Sequence, residues 1–393
     1  MNTYTPQFYD LLSRALGASD SAHLQGFLDE VMAEKYNALQ LDGFSFNPDM
    51  QLDFTYEQIE AEIGLNVMAS YVDVDSPAIP IGTEGPQLST GRIPRMKMVE
   101  YLNEDKIRKM LITEQRFGAA SDRVRQAAVS NLFVTLDRLI GGHTNSLTYQ
   151  RHQMVSAGKL TLTDTNNPNG ITDVTFSAKV PKENITTLSG ANRWWTSESD
   201  GVYSNEGASC NPVADLKKIV RTARNHGVRG HFEVETTFMD QVLGHSRILS
   251  AIAAQVLPLA DAAVGSAYVA NMADSAKDAA LAAIVGAPFV RVDSIVTTQK
   301  WDKSQKKLTS QTFNAFDGNV LVFVPDGSLG EVLTVEPITV QGGVYGGFYD
   351  GRLLLTVGVD AVKKCQSYNS EMTSLVVPDK PRYMWYIHPY AAS

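Results

Sequence analysis

The chain has 393 residues, of which 44% are hydrophobic, and a formal net charge of −9 from 43 acidic against 34 basic side chains. Its length exceeds the usual size of one domain, so two lobes are expected, and its acidity argues against sequence-specific nucleic-acid binding, which needs a basic face to neutralise phosphates. No run of 18 apolar residues occurs and the start, MNTYTPQFYDLL, has no basic region ahead of an apolar one, so neither a membrane span nor a secretory signal is expected.

The first 60 residues carry no pattern that assigns them. Residues 67–100 read VMASYVDVDSPAIPIGTEGPQLSTGRIPRMKMVE, where β-branched residues alternate with polar ones and Pro77, Pro80, Pro86 and Pro94 exclude a helix. Gly82, Gly85-Pro86 and Gly91 fold this arm back into two strands of roughly a dozen residues. A two-stranded ribbon is marginal alone in water, so it needs something to pack on, either its own domain or a partner.

Asn103-Glu104-Asp105 can then cap a helix, and no proline interrupts the chain up to Ile140. Val124, Ala128, Leu132, Thr135 and Leu139 recur at helical spacing as a buried stripe, and residues 117–140 would span roughly 36 Å. Gly141-Gly142 is expected to break the helix, which resumes over 145–157 and stops at Gly158. Residues 158–177 form a hairpin around Asn166-Asn167-Pro168-Asn169-Gly170. Further on, 213–225 and 275–285 read as helices, and 232–236, 289–298, 319–324 and 353–357 as strands, an α+β pattern.

Enzyme motifs are weak. Gly244-His245-Ser246-Arg247-Ile248 starts like a nucleophile elbow without its closing glycine, and reads as the end of a helix. There is no HExxH, phosphate loop or GxGxxG. His226, His231, Glu233 and Glu235 could suggest a metal cluster, but the polar face of a half-exposed strand is the simpler account. Cys210 and Cys365 are far apart and lack a CxxC partner, so neither a disulfide framework nor a zinc site is supported. No cofactor, metal or catalytic residue is expected. Lys300, Lys303, Lys306 and Lys307 read as a solvated loop beside Trp301, and the basic residues around Arg92, Arg95 and Lys97 as ion pairs between subunits.

The succession of extended arm, spine helix, Ala-Gly-Lys-Leu-Thr-Leu at 157–162 and hairpin resembles the major capsid proteins of tailed bacteriophages, of the Hong Kong 97 type and the lambda-like subgroup. Trp194 and Trp195 ahead of Asn211-Pro212-Val213-Ala214-Asp215-Leu216 are similar to that family's tryptophan and Pro-x-x-Asp-Leu helix start. VLVFVPDGSLG at 320–330 and SLVVPDKPRYMWY at 374–386 resemble its apolar strand with Pro-x-Gly-x-Leu-Gly turn and its closing strand pair. The likeness covers roughly 65–390, leaving 338–370 unaligned.

The resemblance implies an N-terminal arm (1–66), an extended loop (67–102), a peripheral domain on the spine helix (103–185), an axial domain (186–370) and strands returning to the peripheral domain (371–393). It implies self-assembly into hexamers and pentamers of an icosahedral virion shell enclosing double-stranded DNA without reading its sequence. Portal and scaffold proteins, and a decoration protein, would be partners, with assembly in the host bacterial cytoplasm and no membrane. The loop of one subunit would lie across its neighbour, with Ile79, Pro80, Ile81, Arg92, Ile93, Pro94, Arg95 and Lys97 as contact residues. An encapsulin-like compartment would share this fold, while a soluble hydrolase or binding protein would instead show a ligand pocket.

Overall fold

The computed structural model describes residues 41–59, 88–102, 108–109, 112, 122–168, 170–258, 261–302, 307–338, 344–360 and 365–390. In chain order its elements are β1 (Phe44–Phe46), β2 (Thr55–Ile59), β3 (Leu88–Arg92), β4 (Arg95–Leu102), α1 (Asp122–Ser156), β5 (Lys159–Leu162), β6 (Val174–Ser177), β7 (Ile185–Thr187), β8 (Trp195–Ser199) and β9 (Val202–Glu206). Next come α2 (Pro212–Asn225), β10 (Gly230–Glu235), α3 (Thr236–Gly244), α4 (Ser246–Val256), α5 (Ala262–Ala270), α6 (Asp274–Val285), β11 (Phe289–Val292), β12 (Ile295–Asp302) and β13 (Lys307–Asn314). The chain ends with β14 (Leu321–Pro325), β15 (Gly330–Thr334), β16 (Val344–Phe348), β17 (Leu353–Asp360), β18 (Cys365–Pro378) and β19 (Trp385–His388). The class is α+β, as the mixed pattern of helix and strand signals requires.

Two compact units form. The first comprises 1–56, 91–148 and 331–376, and the second 57–90, 149–330 and 377–393. In the first, a sheet in the order β1-β15-β18-β17-β16, with β4 also paired to β18, buries Phe44, Val332, Leu353, Leu355, Met372 and Leu375. The described part of 338–370 is thus largely an antiparallel meander of β16, β17 and the start of β18. In the second, the order is β11-β10-β14-β19-β7. Its core gathers Trp194, Leu216, Phe232, Phe238, Ile248, Leu281, Phe323 and Trp385 from strands and the helices α2, α3, α4 and α6.

Several expectations are corrected. The helix does not break at Gly141-Gly142, because α1 is continuous over 35 residues. A helical glycine costs roughly 1 kcal/mol relative to Ala, too little to end a helix whose neighbouring turns are packed. Here Leu139, Ile140 and Leu147 are buried, and Gly142 has a reason to be small: the thioether of Met98 occupies the space a Cβ would need. Of the predicted stripe, the side chains of Val124, Ala128, Leu132 and Thr135, and the cap at 103–105, lie outside the described residues.

The expected strand 289–298 is two strands. β11 runs parallel to β10, whereas β12 leaves to form a ribbon with β13. The closing segments do not pair with each other, since β18 belongs to the first unit's sheet and β19 sits between β14 and β7. Residues 331–376 belong to the first unit. The hairpin at 158–177 forms as β5 and β6.

The tryptophan and Pro-x-x-Asp-Leu motif has a physical basis. Asn211 caps α2 by accepting from Ala214 N, Pro212 occupies the first turn, and Asp215 accepts the indole N–H of buried Trp194 at 2.9 Å. Burial raises the Asp215 pKa, and the Trp194 hydrogen bond opposes that rise.

Candidate subunit-contact surface

The ribbon begins earlier in the chain than its sequence suggests. β2 pairs with β3, so its first strand is drawn from Thr55–Ile59, upstream of residue 67. Of the contact candidates, Ile79, Pro80 and Ile81 lie outside the described residues. The other five cluster where the ribbon meets β4.

Each of the five is held differently. Arg92 is exposed, with its guanidinium 5.7 Å from the Phe54 ring centroid. Ile93 is buried, and its N–H donates to Phe54 O at 2.8 Å. Pro94 is half-buried and sits between β3 and β4. Arg95 and Lys97 project from β4 onto one carboxylate, Glu371 of β18, with Lys97 Nζ at 3.1 Å and Arg95 paired to the other oxygen. The register explains the convergence, because Lys97 lies directly opposite Glu371 and Arg95 one alternate residue along.

Arg95 and Lys97 therefore bridge to Glu371 within the chain. Both remain about half exposed, so the pairs contribute on the order of 0–1 kcal/mol; the backbone ladder between β4 and β18 is the larger tie. Glu371 was missed by sequence reasoning because only strand register connects it to residues some 270 positions earlier.

Beneath β4 the sheet is polar but closed. His143 of α1 is buried, and its Nε2 lies 2.9 Å from Ser370 Oγ. Burial drops its pKa to about 4, keeping the ring neutral. Tyr368 lies opposite Glu100, and burial, reinforced by that carboxylate, raises its pKa. Outward, β4 exposes Val99 and Tyr101, apolar surface beside the two cations, while Met98 projects from the other face towards Gly142 of α1.

The sites weighed for catalysis or metal binding have structural uses. Glu233 is buried rather than half-exposed and takes two hydrogen bonds from Arg151, at 2.6 and 2.5 Å. Burial raises its pKa, but His231 and Arg151 outweigh that and hold it at about 2. Glu235 caps α3 by accepting from Phe238 N. Among the described residues no three His, Cys, Asp or Glu side chains group as a metal site. Ser246 Oγ is bound to Glu206 at the start of α4. Buried Cys210 lies 3.6 Å from His245 Nε2, yet the Nδ1 of that ring accepts from Arg247 N and so its Nε2 carries the proton, which the carbonyl oxygen of Trp194 accepts at 3.2 Å. That tautomer cannot take a proton from the thiol. Lys300 pairs with Asp164, and Lys303 and Lys306 lie outside the described residues.

Residues 29–336 match the model of the family described as Phage major capsid protein E. The chain belongs to that family. It is a capsid protein of the phage type, and the match favours a phage shell over an encapsulin-like compartment. The family is one of structural proteins located in the virion capsid. No curated protein matches.

Among solved structures, a phage-related protein of Bordetella bronchiseptica is 11% identical with a TM-score of 0.45, covering 96% of this chain and 95% of its own. The capsid of cyanophage P-SCSP1u gives 9% identity and 0.42 over 91% and 90%. That of cyanophage A-1(L) gives 11% and 0.42 over 88% and 89%.

Proposed function

We propose that this member of the capsid family is the subunit of an icosahedral shell of the Hong Kong 97 type, built from its hexamers and pentamers around double-stranded DNA. Membership of the family carries the reading. The ribbon supplies the linkage: it lies across the neighbouring subunit, and Ile79, Pro80, Ile81, Arg92, Pro94, Arg95 and Lys97 belong to the contact, while Ile93, buried in its own subunit, holds the root in place. Support comes from the root, where Ile93 is buried with its N–H on Phe54 O and Arg95 and Lys97 are held by Glu371.

Such a contact joins different surfaces of two copies, and heterologous contacts close into rings when the rotation permits. Apolar area contributes on the order of 25 cal/mol per Å² before the costs of association are subtracted. The net charge of −9 suits a wall that encloses DNA without gripping it. Portal, scaffold and decoration proteins complete the particle, which assembles in the host cytoplasm. The test is to express the chain alone and image its size-exclusion peak by negative-stain electron microscopy. Shells, tubes or six-membered rings are expected. A monomer that persists with scaffold and portal co-expressed would sink the reading.

A further inference from the structure

From residue 248 to 273 the chain reads ILSAIAAQVLPLADAAVGSAYVANMA, with Asp261 as its sole charged side chain. One residue in five is charged over the whole protein, so this stretch is strongly depleted. Depletion of this kind marks a core, yet much of it lies outside. On α5, Gly265 and Val269 are buried and face their own unit, while Val264 is 64% and Tyr268 is 56% exposed. Ala263, Ala267 and Ala270 are exposed beside them. The last turn of α4 extends the surface through Ala254, Gln255 and Val256, all exposed and uncharged.

A helix that is apolar on every side is normally enclosed on every side. α5 is enclosed on one. Its outer face has the composition of an interface centre, which loses charged residues and gains aromatic ones, rather than that of a solvated surface.

We infer that the outer face of α5, with the end of α4, is a contact surface for a second copy of this chain. This rests on the shell reading above and goes beyond the ribbon it invokes. Charge selects the occupant. Two molecules carrying −9 each repel wherever their acidic surfaces meet, and a neutral apolar patch is where they approach without that cost. Nucleic acid would require cations, and this stretch has none. The small side chains around Tyr268 permit close approach, and Tyr268 provides the large apolar anchor.

The test is the full-length double variant Val264→Glu, Tyr268→Glu, assembled beside the wild-type chain. Both positions are exposed in the subunit, so circular dichroism and the thermal midpoint should match wild type. The concentration at which shells appear, read by sedimentation, should rise at least tenfold. In parallel, a Val264→Cys thiol should react with a maleimide in free subunits and resist it in shells, counted against the chain's own two cysteines. Shells at the wild-type concentration, or a thiol equally reactive in both states, would overturn the inference while leaving the shell reading intact. Wild-type subunits that bind neutral phosphatidylcholine vesicles, with that binding lost in the double variant while its shells form at the wild-type concentration, would overturn the inference and reassign the face to a membrane surface. A wild-type chain that assembles under no condition would overturn the shell reading and this contact with it.

Discussion

The Arg151 and Glu233 pair and His143 show how single buried groups tie this protein to pH. Arg151 and Glu233 satisfy each other inside the second unit. Removing one partner leaves the other charged in a poor solvent, at a cost of about 3–5 kcal/mol, whereas replacing both is far milder. Arg151→Met or Glu233→Leu alone should therefore unfold at markedly lower urea than wild type, and the double variant should recover much of the loss. Trp194, Trp195, Trp301 and Trp385 all lie in the second unit, so their fluorescence reports this transition. Glu233 is held at about 2, below its unfolded value near 4.5. Its contribution is present above 4.5 and lost as pH falls from 4.5 towards 2. His143, held at about 4 against 6.5, acts in a higher window. Between 6.5 and 4 the unfolded chain takes a proton that the folded chain refuses, so stability falls with pH by about 3 kcal/mol in all. Hydrogen-exchange protection in β17 and β18 should weaken across that range in wild type and stay nearly flat in His143→Gln. An equal slope in both would assign the acid sensitivity elsewhere.

At the scale of elements, adjacent glycines in α1 should respond unequally. Nothing lies within 4 Å of a Cβ placed on Gly141, so Gly141→Ala should stabilise by roughly 0.5–1 kcal/mol through helix propensity. Gly142→Ala would meet the Met98 thioether and gains the same propensity only by displacing it, so its net effect should be smaller or destabilising, and Met98→Ala should restore the gain. Urea midpoints of the three variants decide the matter. This pair also marks what the sequence makes legible. Local signals are sound where the cause is local: the Asn211-Pro212 start of α2, the alternation in β5 and β6, and the continuous apolar run of β14 all emerge as expected. They fail where the cause lies far along the chain. The space above Gly142 is set by a side chain 44 positions earlier, the split of β11 from β12 by which neighbour each strand finds, and the anchor Glu371 by register alone. α5 is illegible to periodicity because its apolar residues follow no single face.

For the whole molecule, the question is whether folding and assembly are separable. Both units bury their own cores, and the root of the ribbon is fixed by contacts within the chain: Ile93 to Phe54, and Arg95 and Lys97 to Glu371. None of these ties involves residues 76–87. Folding of the subunit should then survive their removal, while a contact made by the far part of the ribbon should not. Replacing residues 76–87 with a short Gly-Ser linker spares β2 and β3. The expected product is soluble, with unchanged circular dichroism and an unchanged tryptophan unfolding transition, and forms no shells under conditions where wild type does. Normal shells would show that the ribbon is dispensable and that the contact lies elsewhere, leaving the face of α5 as the surface to test. An aggregated product would show that the ribbon also completes the fold of its own subunit. The two failures separate by the urea midpoint of the soluble fraction: unchanged in the first, lowered in the second.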